Sequence, residues 1–218
     1  MKFDLVYEQT MQSLLFEQEG ITAIYPGGFK PPHKGHYELA KTYAEDSEVK
    51  EVKIMLGPKT RSSDDNTITV TEQMSKRIWE DYYIPNLPGN KVTIEASPDP
   101  VPVRAAYVYV DKHTNQGDVV ALMSSIKSPA DAKRAKEFAE KHGENFGKYH
   151  KPGVVVLYHP KNTVAKYDGR TDGLDGENVS ASQMREDAAF EDLDNFKTNL
   201  PDELQDKAKE ILEIIRKK

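Results

Sequence analysis

The sequence predicts an α/β protein: an α/β/α sandwich around a mostly parallel five-stranded sheet, with added helices at the N- and C-terminal ends. Three observations lead there. The stretches at 21–25, 119–123 and 154–158 are continuously apolar, as in strands buried on both faces. Between the strand candidates lie segments whose apolar residues recur at helical spacing. Parallel strands need a crossover between them, and these helical segments stand where the crossovers are needed.

Each element has its own signal. Residues 3–19 read as a helix with Leu5, Met11, Leu14 and Leu15 as its apolar contacts and Gly20 as its stop. Ile21 to Tyr25 is a first strand, broken by Pro26-Gly27-Gly28. After Gly35, the residues His36, Leu39, Ala40, Tyr43 and Ala44 share one helical face. Val49 to Leu56 is a second strand, ended by Gly57-Pro58. The polar run Thr60 to Thr69 predicts a mobile loop. Thr71 is placed to cap a helix carrying Met74, Ile78 and Tyr82 on one face. Lys91 to Ala96 is a third strand. Val103 to Val110 is rich in β-branched residues, yet Val103, Ala106, Tyr107 and Val110 fit helical spacing, and a crossover is needed there, so it is assigned as helix. Val119 to Met123 and Val154 to Tyr158 are strands, with a helix from Ala130 to His142 between them. The chain is helical from Ser182, and Pro201 to Lys218 forms a last helix with Ile211, Leu212 and Ile215 inward. The predicted organisation is an N-terminal helical extension (1–20), a Rossmann-like domain (21–190) and C-terminal helices packed on it (191–218).

Composition narrows the functions. The chain has 218 residues and a net charge of −6, which argues against a general nucleic-acid binder. A few basic groups focused in a cleft still suffice for a small anion. No apolar run approaches the ~20 residues of a membrane span. Met1-Lys2-Phe3-Asp4 has an acid where a signal peptide needs a basic start, so a cytoplasmic location is expected. Without cysteine there are no disulfides and no thiolate metal sites. Walker A and GxGxxG sequences are absent.

The chemistry concentrates after the first strand. Gly27 and Gly28 let the chain turn sharply and let a ligand approach the backbone. A helix starting near Gly35 predicts unpaired N–H donors and a positive dipole end, both suited to phosphate. His33 and His36 frame that end and can donate hydrogen bonds to phosphate oxygens, while Lys30 and Lys34 add charge. Zinc fits less well, because no third ligand of the right kind is near. Gly27, Phe29, Pro31, His33, Gly35 and His36 match a Gly-x-Phe-x-Pro-x-His-x-Gly-His pattern. This run resembles the signature of the cytidylyltransferase-like nucleotidylyltransferase superfamily. The resemblance implies that His33 and His36 bind a triphosphate and stabilise the transition state at its α-phosphorus, with Lys30 adding charge. It also implies that Gly35 lies under the nucleotide, and that Gly27, Gly28 and Phe29 line the phosphate cleft.

A second run, Asn178-Val179-Ser180-Ala181-Ser182-Gln183-Met184-Arg185, reads by itself as a helix start, with Ser180 as N-cap and Gln183 as a capping-box partner. It is also similar to the Ile-Ser-Ser/Thr-Thr-x-x-Arg run of the same superfamily, with Val179 and Ala181 as departures. That likeness implies that Ser180, Ser182 and Arg185 hold the β- and γ-phosphates. The resemblance covers residues 21–190. It implies transfer of AMP or CMP from an NTP (ATP or CTP) to a small phosphorylated acceptor, with pyrophosphate released and Mg²⁺ bridging phosphates. Adenylyl transfer is favoured slightly, since the Arg-Thr-Glu-Gly-Ile-Ser-Thr-Thr form of cytidylyl members is missing. Two other readings stay open: a nucleotide-binding sensor, and an interaction protein docking through its terminal helices.

The same resemblance implies that Lys59 and Arg61 after the second strand, and Arg104 after the third, are candidates for the acceptor's phosphate. It likewise implies that Ser124, with Ser125 and Lys127 after the fourth strand, is a candidate for contact with the base or ribose, although the Gly-x-Asp pattern of adenylyl-transferring members is absent there. Asp168, Asp172 and Asp175 alternate with glycines in a run that lacks EF-hand spacing, and they read as a lid rather than a metal site. His142, His150 and His159 lack a partner pattern. No membrane partner is expected, and the sequence leaves the oligomeric state open.

Overall fold

The computed structural model describes residues 20–113, 119–123, 133–134, 136–137, 154–156 and 179–217. The expected N-terminal helix, the Ala130–His142 helix apart from four residues, Ser124, Ser125, Lys127, the acidic glycine-containing run and His142, His150 and His159 all lie outside the described residues.

The protein is α/β, with a parallel sheet flanked by helices. Its strands are β1 (Ile21–Gly27), β2 (Val49–Leu56), β5 (Val92–Ala96), β6 (Val119–Leu122) and β7 (Val154–Val156). Their order is β5-β2-β1-β6-β7, and every neighbouring pair is parallel. The chain moves outward from β1 in one direction and then crosses to its other side at β6. The carboxyl end of β1 therefore stands at the point where strand order reverses, where such sheets bind ligands.

Two cores explain the unalternating apolar strands. On one face, Ile24, Met55, Val120 and Leu122 pack with Ala105, Ala106 and Val110 of α3 (Pro102–His113). On the other, Ala23, Tyr25, Ile54, Leu56 and Ala121 meet α1 (Lys34–Glu45), α2 (Glu72–Ile78), α4 (Ala181–Ala189) and α6 (Ala208–Arg216). In β1 and β6 the side chains on both faces enter an apolar layer, whereas β5, at the edge of the sheet, exposes Thr93, Glu95 and Ala96. Helix α5 (Leu193–Thr198) adds Phe196 to the second core. Residues 102–113 are helical despite their β-branched content, because that segment carries the chain from β5 back across the sheet to β6.

Two expectations need correction. Thr60 to Thr69 is not a structureless loop. It holds a hairpin of β3 (Arg61–Ser62) and β4 (Thr69–Val70), closed by Ser62 Oγ against Thr69 Oγ1 at 2.9 Å. Asp65 organises the tip, taking hydrogen bonds from Ser63 Oγ and the Thr67 N–H. A run of short polar residues bonds to its own backbone and so acquires local order. The segment 201–218 is also not one helix: a 3₁₀ stretch at Asp202–Lys207 precedes α6.

Candidate active site

The turn after β1 is built around a ring that folds back. Phe29 has φ +50°, unusual for a bulky residue, and its ring is buried. A Cβ on Gly27 would lie 2.4 Å from that ring, so only glycine fits there. At Gly28 a Cβ would meet nothing within 4 Å, and the residue is exposed. Protein packing does not require Gly28 to lack a side chain, which leaves an open backbone surface for a ligand. Phe29 sets its edge against the His36 ring at 4.8 Å and against Trp79 at 5.6 Å. Trp79 begins a π-helical turn, Trp79–Tyr83, and the Tyr83 hydroxyl donates to the Pro32 carbonyl at 3.0 Å, pinning the two prolines. The sequence carried no signal for Tyr83 in that role.

The two histidines are a stacked pair, with ring centroids 3.6 Å apart and planes inclined by 28°. They also form the capping box of α1. His33 Nδ1 accepts from the Gly35 N–H at 3.2 Å, and His36 Nδ1 accepts from the His33 N–H at 3.2 Å. An Nδ1 that accepts a hydrogen bond carries no proton, so each neutral ring keeps its hydrogen on Nε2. Burial, and then Lys34, push the His33 pKa down to about 3. Burial, and then the His33 ring, hold His36 well below its ordinary value. His36 nevertheless keeps part of its surface, so a ligand can reach it. Among the described residues neither Nε2–H has a protein acceptor, so the pair offers two neutral donors, His36 the more open and His33 almost fully buried.

This arrangement corrects the expectation of free N–H groups at the start of α1. Gly35 N–H goes to His33 Nδ1, His36 N–H to the His33 carbonyl, and Lys34 N–H to the Asn199 carbonyl at 2.8 Å. Donors for an anion come from the histidine side chains instead. Asn199 lies in the turn after α5, and its Nδ2 donates to the buried Asp187 of α4 at 3.3 Å. The C-terminal segment thus caps the helix that carries the histidines. A backbone carbonyl leaves no mark in the sequence, so this link was not foreseeable.

Lys30 and Arg185 join the two motifs. The buried Lys30 ammonium donates to the carbonyls of Gly28 at 2.9 Å and Gly57 at 2.8 Å, fastening the ends of β1 and β2 together. Burial pushes its pKa down to about 8; Glu72 opposes the shift and Arg61 adds to it. Arg185 donates from Nη1 to the Lys30 carbonyl at 2.7 Å and the Ala181 carbonyl at 3.0 Å, from Nε to the Ser62 carbonyl at 2.8 Å, and from Nη2 to Ser182 Oγ at 3.0 Å. These contacts occupy four of the five guanidinium hydrogens. Ser180 accepts from the Gln183 N–H at 3.0 Å and so caps α4, but the Gln183 side chain turns to Asp187 rather than completing a capping box.

The remaining candidates are less convergent. Lys59 and Arg61 are exposed on the segment leaving β2. Arg104 is 64% exposed and paired with Asp99 at 3.3 Å, so its charge is already answered. Its helix does begin at the same sheet edge, since a Cβ on Gly57 would lie 2.6 Å from Pro102 Cγ.

The chain matches no protein-family model and no curated protein.

Proposed function

We propose that this protein is a nucleotidylyltransferase that moves AMP or CMP from an NTP to a phosphate-bearing acceptor and releases pyrophosphate, with adenylyl transfer favoured. In this reading the fold is a doubly wound Rossmann-like sandwich with five strands and added terminal helices. The observation that carries the proposal is the direct bond from Arg185 to the Lys30 carbonyl. It brings together two motifs 155 positions apart at the carboxyl end of β1.

The chemistry asks little of the protein beyond placement and charge. The α-phosphate sits over Gly28, facing the two Nε2–H groups. Their donors are fixed before the ligand arrives, so negative charge developing there is met without reorganisation. An attacking phosphate is already ionised, and no general base is assigned. Among the described residues no group of three His, Cys, Asp or Glu side chains could hold a metal ion. In this reading magnesium accompanies the triphosphate oxygens, as it commonly binds.

The test is pyrophosphate release, screened over ATP, CTP, GTP and UTP against a panel of small phosphorylated acceptors. Turnover with one pair is the expected result, and silence with every pair overturns the proposal. The occupied state of Arg185 favours a second reading, a nucleotide-binding sensor, since most of its donors already serve the fold. Calorimetric ATP binding without any pyrophosphate would support that alternative.

A further inference from the structure

We infer that Arg61 binds the β- and γ-phosphate end of the triphosphate, and with it the departing pyrophosphate, rather than the acceptor. The inference rests on the reading of the site as a nucleotidyl-transfer centre.

One guanidinium fixes the location. Arg185 touches the Lys30 carbonyl, the Ser62 carbonyl and Ser182 Oγ, so the glycine turn, strand β3 and the start of α4 converge there. Arg61 immediately precedes Ser62. Burial is the main force against the protonated forms of Lys30 and Arg185, and the Arg61 charge adds to it at both, while Glu72 beside Lys30 and Glu186 and Asp64 beside Arg185 oppose it. Among the described residues none of these three cations forms an ion pair with a carboxylate. Glu72, Glu186 and Asp64 offset part of this charge from a distance, but the three cations stay out of direct ion pairs and can still take a polyanion.

The three cations differ in what they can still donate. Arg185 has four of its five hydrogens engaged, and Lys30 has two of its three. Arg61 is exposed, and among the described residues nothing engages its planar fork, the geometry that grips a phosphate in bidentate fashion. Its hairpin is held in place from outside. Arg185 Nε bonds the Ser62 carbonyl at 2.8 Å, and the Asp64 N–H donates to Glu186 Oε1 at 2.8 Å. The fork thus stands on a fixed support rather than a wandering loop.

The division of labour follows from charge. The terminal two phosphates carry most of the charge of a triphosphate, and they belong where three cations meet. The neutral histidines suit the α-phosphate, where charge grows only in the transition state.

The experiment is calorimetric titration of inorganic tripolyphosphate, ATP, CTP and AMP into the wild-type chain, Arg61→Ala and Arg61→Lys. Arg61→Ala is expected to weaken tripolyphosphate and the bound NTP by about tenfold or more, the size of a lost charge-assisted hydrogen bond. AMP affinity should stay within about twofold, and Arg61→Lys should recover part of the loss by restoring the charge without the fork. Unchanged tripolyphosphate affinity in Arg61→Ala overturns the inference, and so does an equal loss for AMP. A wild-type chain that binds ATP or CTP but not tripolyphosphate sinks this inference alone. One that binds neither nucleotide sinks the functional reading with it.

Discussion

The two halves of the candidate site are built on opposite principles. At the start of α1, the side chains of His33 and His36 satisfy the backbone with one nitrogen and leave the other free. At the start of α4, Arg185 gives nearly all its donors to the protein itself. The first half presents hydrogen-bond donors, and the second holds the first against the β3–β4 hairpin. A motif residue can therefore matter to a site as a brace, and the difference between a brace and a ligand contact is measurable.

The sharpest way to break this comparison is at His36. His36→Ala is expected to reduce kcat by about 10²-fold or more, as for a lost transition-state donor. Half of the capping box goes with it, at about 1 kcal/mol of stability, so circular dichroism should still show the native fold. Wild-type turnover in this variant would falsify the role given to the stacked pair.

Arg185→Ala should behave differently. It leaves the Lys30 and Ser62 carbonyls without their donor, and a buried polar group left unpaired costs about 1–3 kcal/mol. Thermal unfolding should therefore fall measurably before any ligand is added. A variant with wild-type stability and only weakened nucleotide binding would make Arg185 a ligand contact like the histidines, and the contrast would collapse.

The smallest effect concerns pH. His33 has an ordinary pKa near 6.5 and a folded-state value of about 3. The unfolded chain then binds the proton more readily, so stability is full above about pH 6.5 and declines as pH falls toward 3. Between pH 6.5 and pH 5 the loss from this group is about 1–2 kcal/mol. His33→Asn keeps an N-capping side chain and removes the titration. Its denaturant midpoint should be flatter over this range than that of the wild type, and parallel curves would show that His33 is not held neutral.

The sequence by itself determined the layered α/β class, because strands buried on both faces must be apolar throughout and crossovers must be helical. The run 102–113 was legible as helix for that reason, against its own β-branched content. The segments carrying the histidines, Lys30 and Arg185 were also legible, since a glycine turn followed by paired histidines is a local pattern. What each residue bonds to was decided only by the tertiary structure. The Asn199 carbonyl that takes the Lys34 N–H, the Gly57 carbonyl that takes Lys30 and the Ser62 carbonyl that takes Arg185 are backbone atoms, identical in every residue type. Packing brings them within 3 Å of their donors across 27 to 165 positions of chain, and no local pattern records a meeting of that kind.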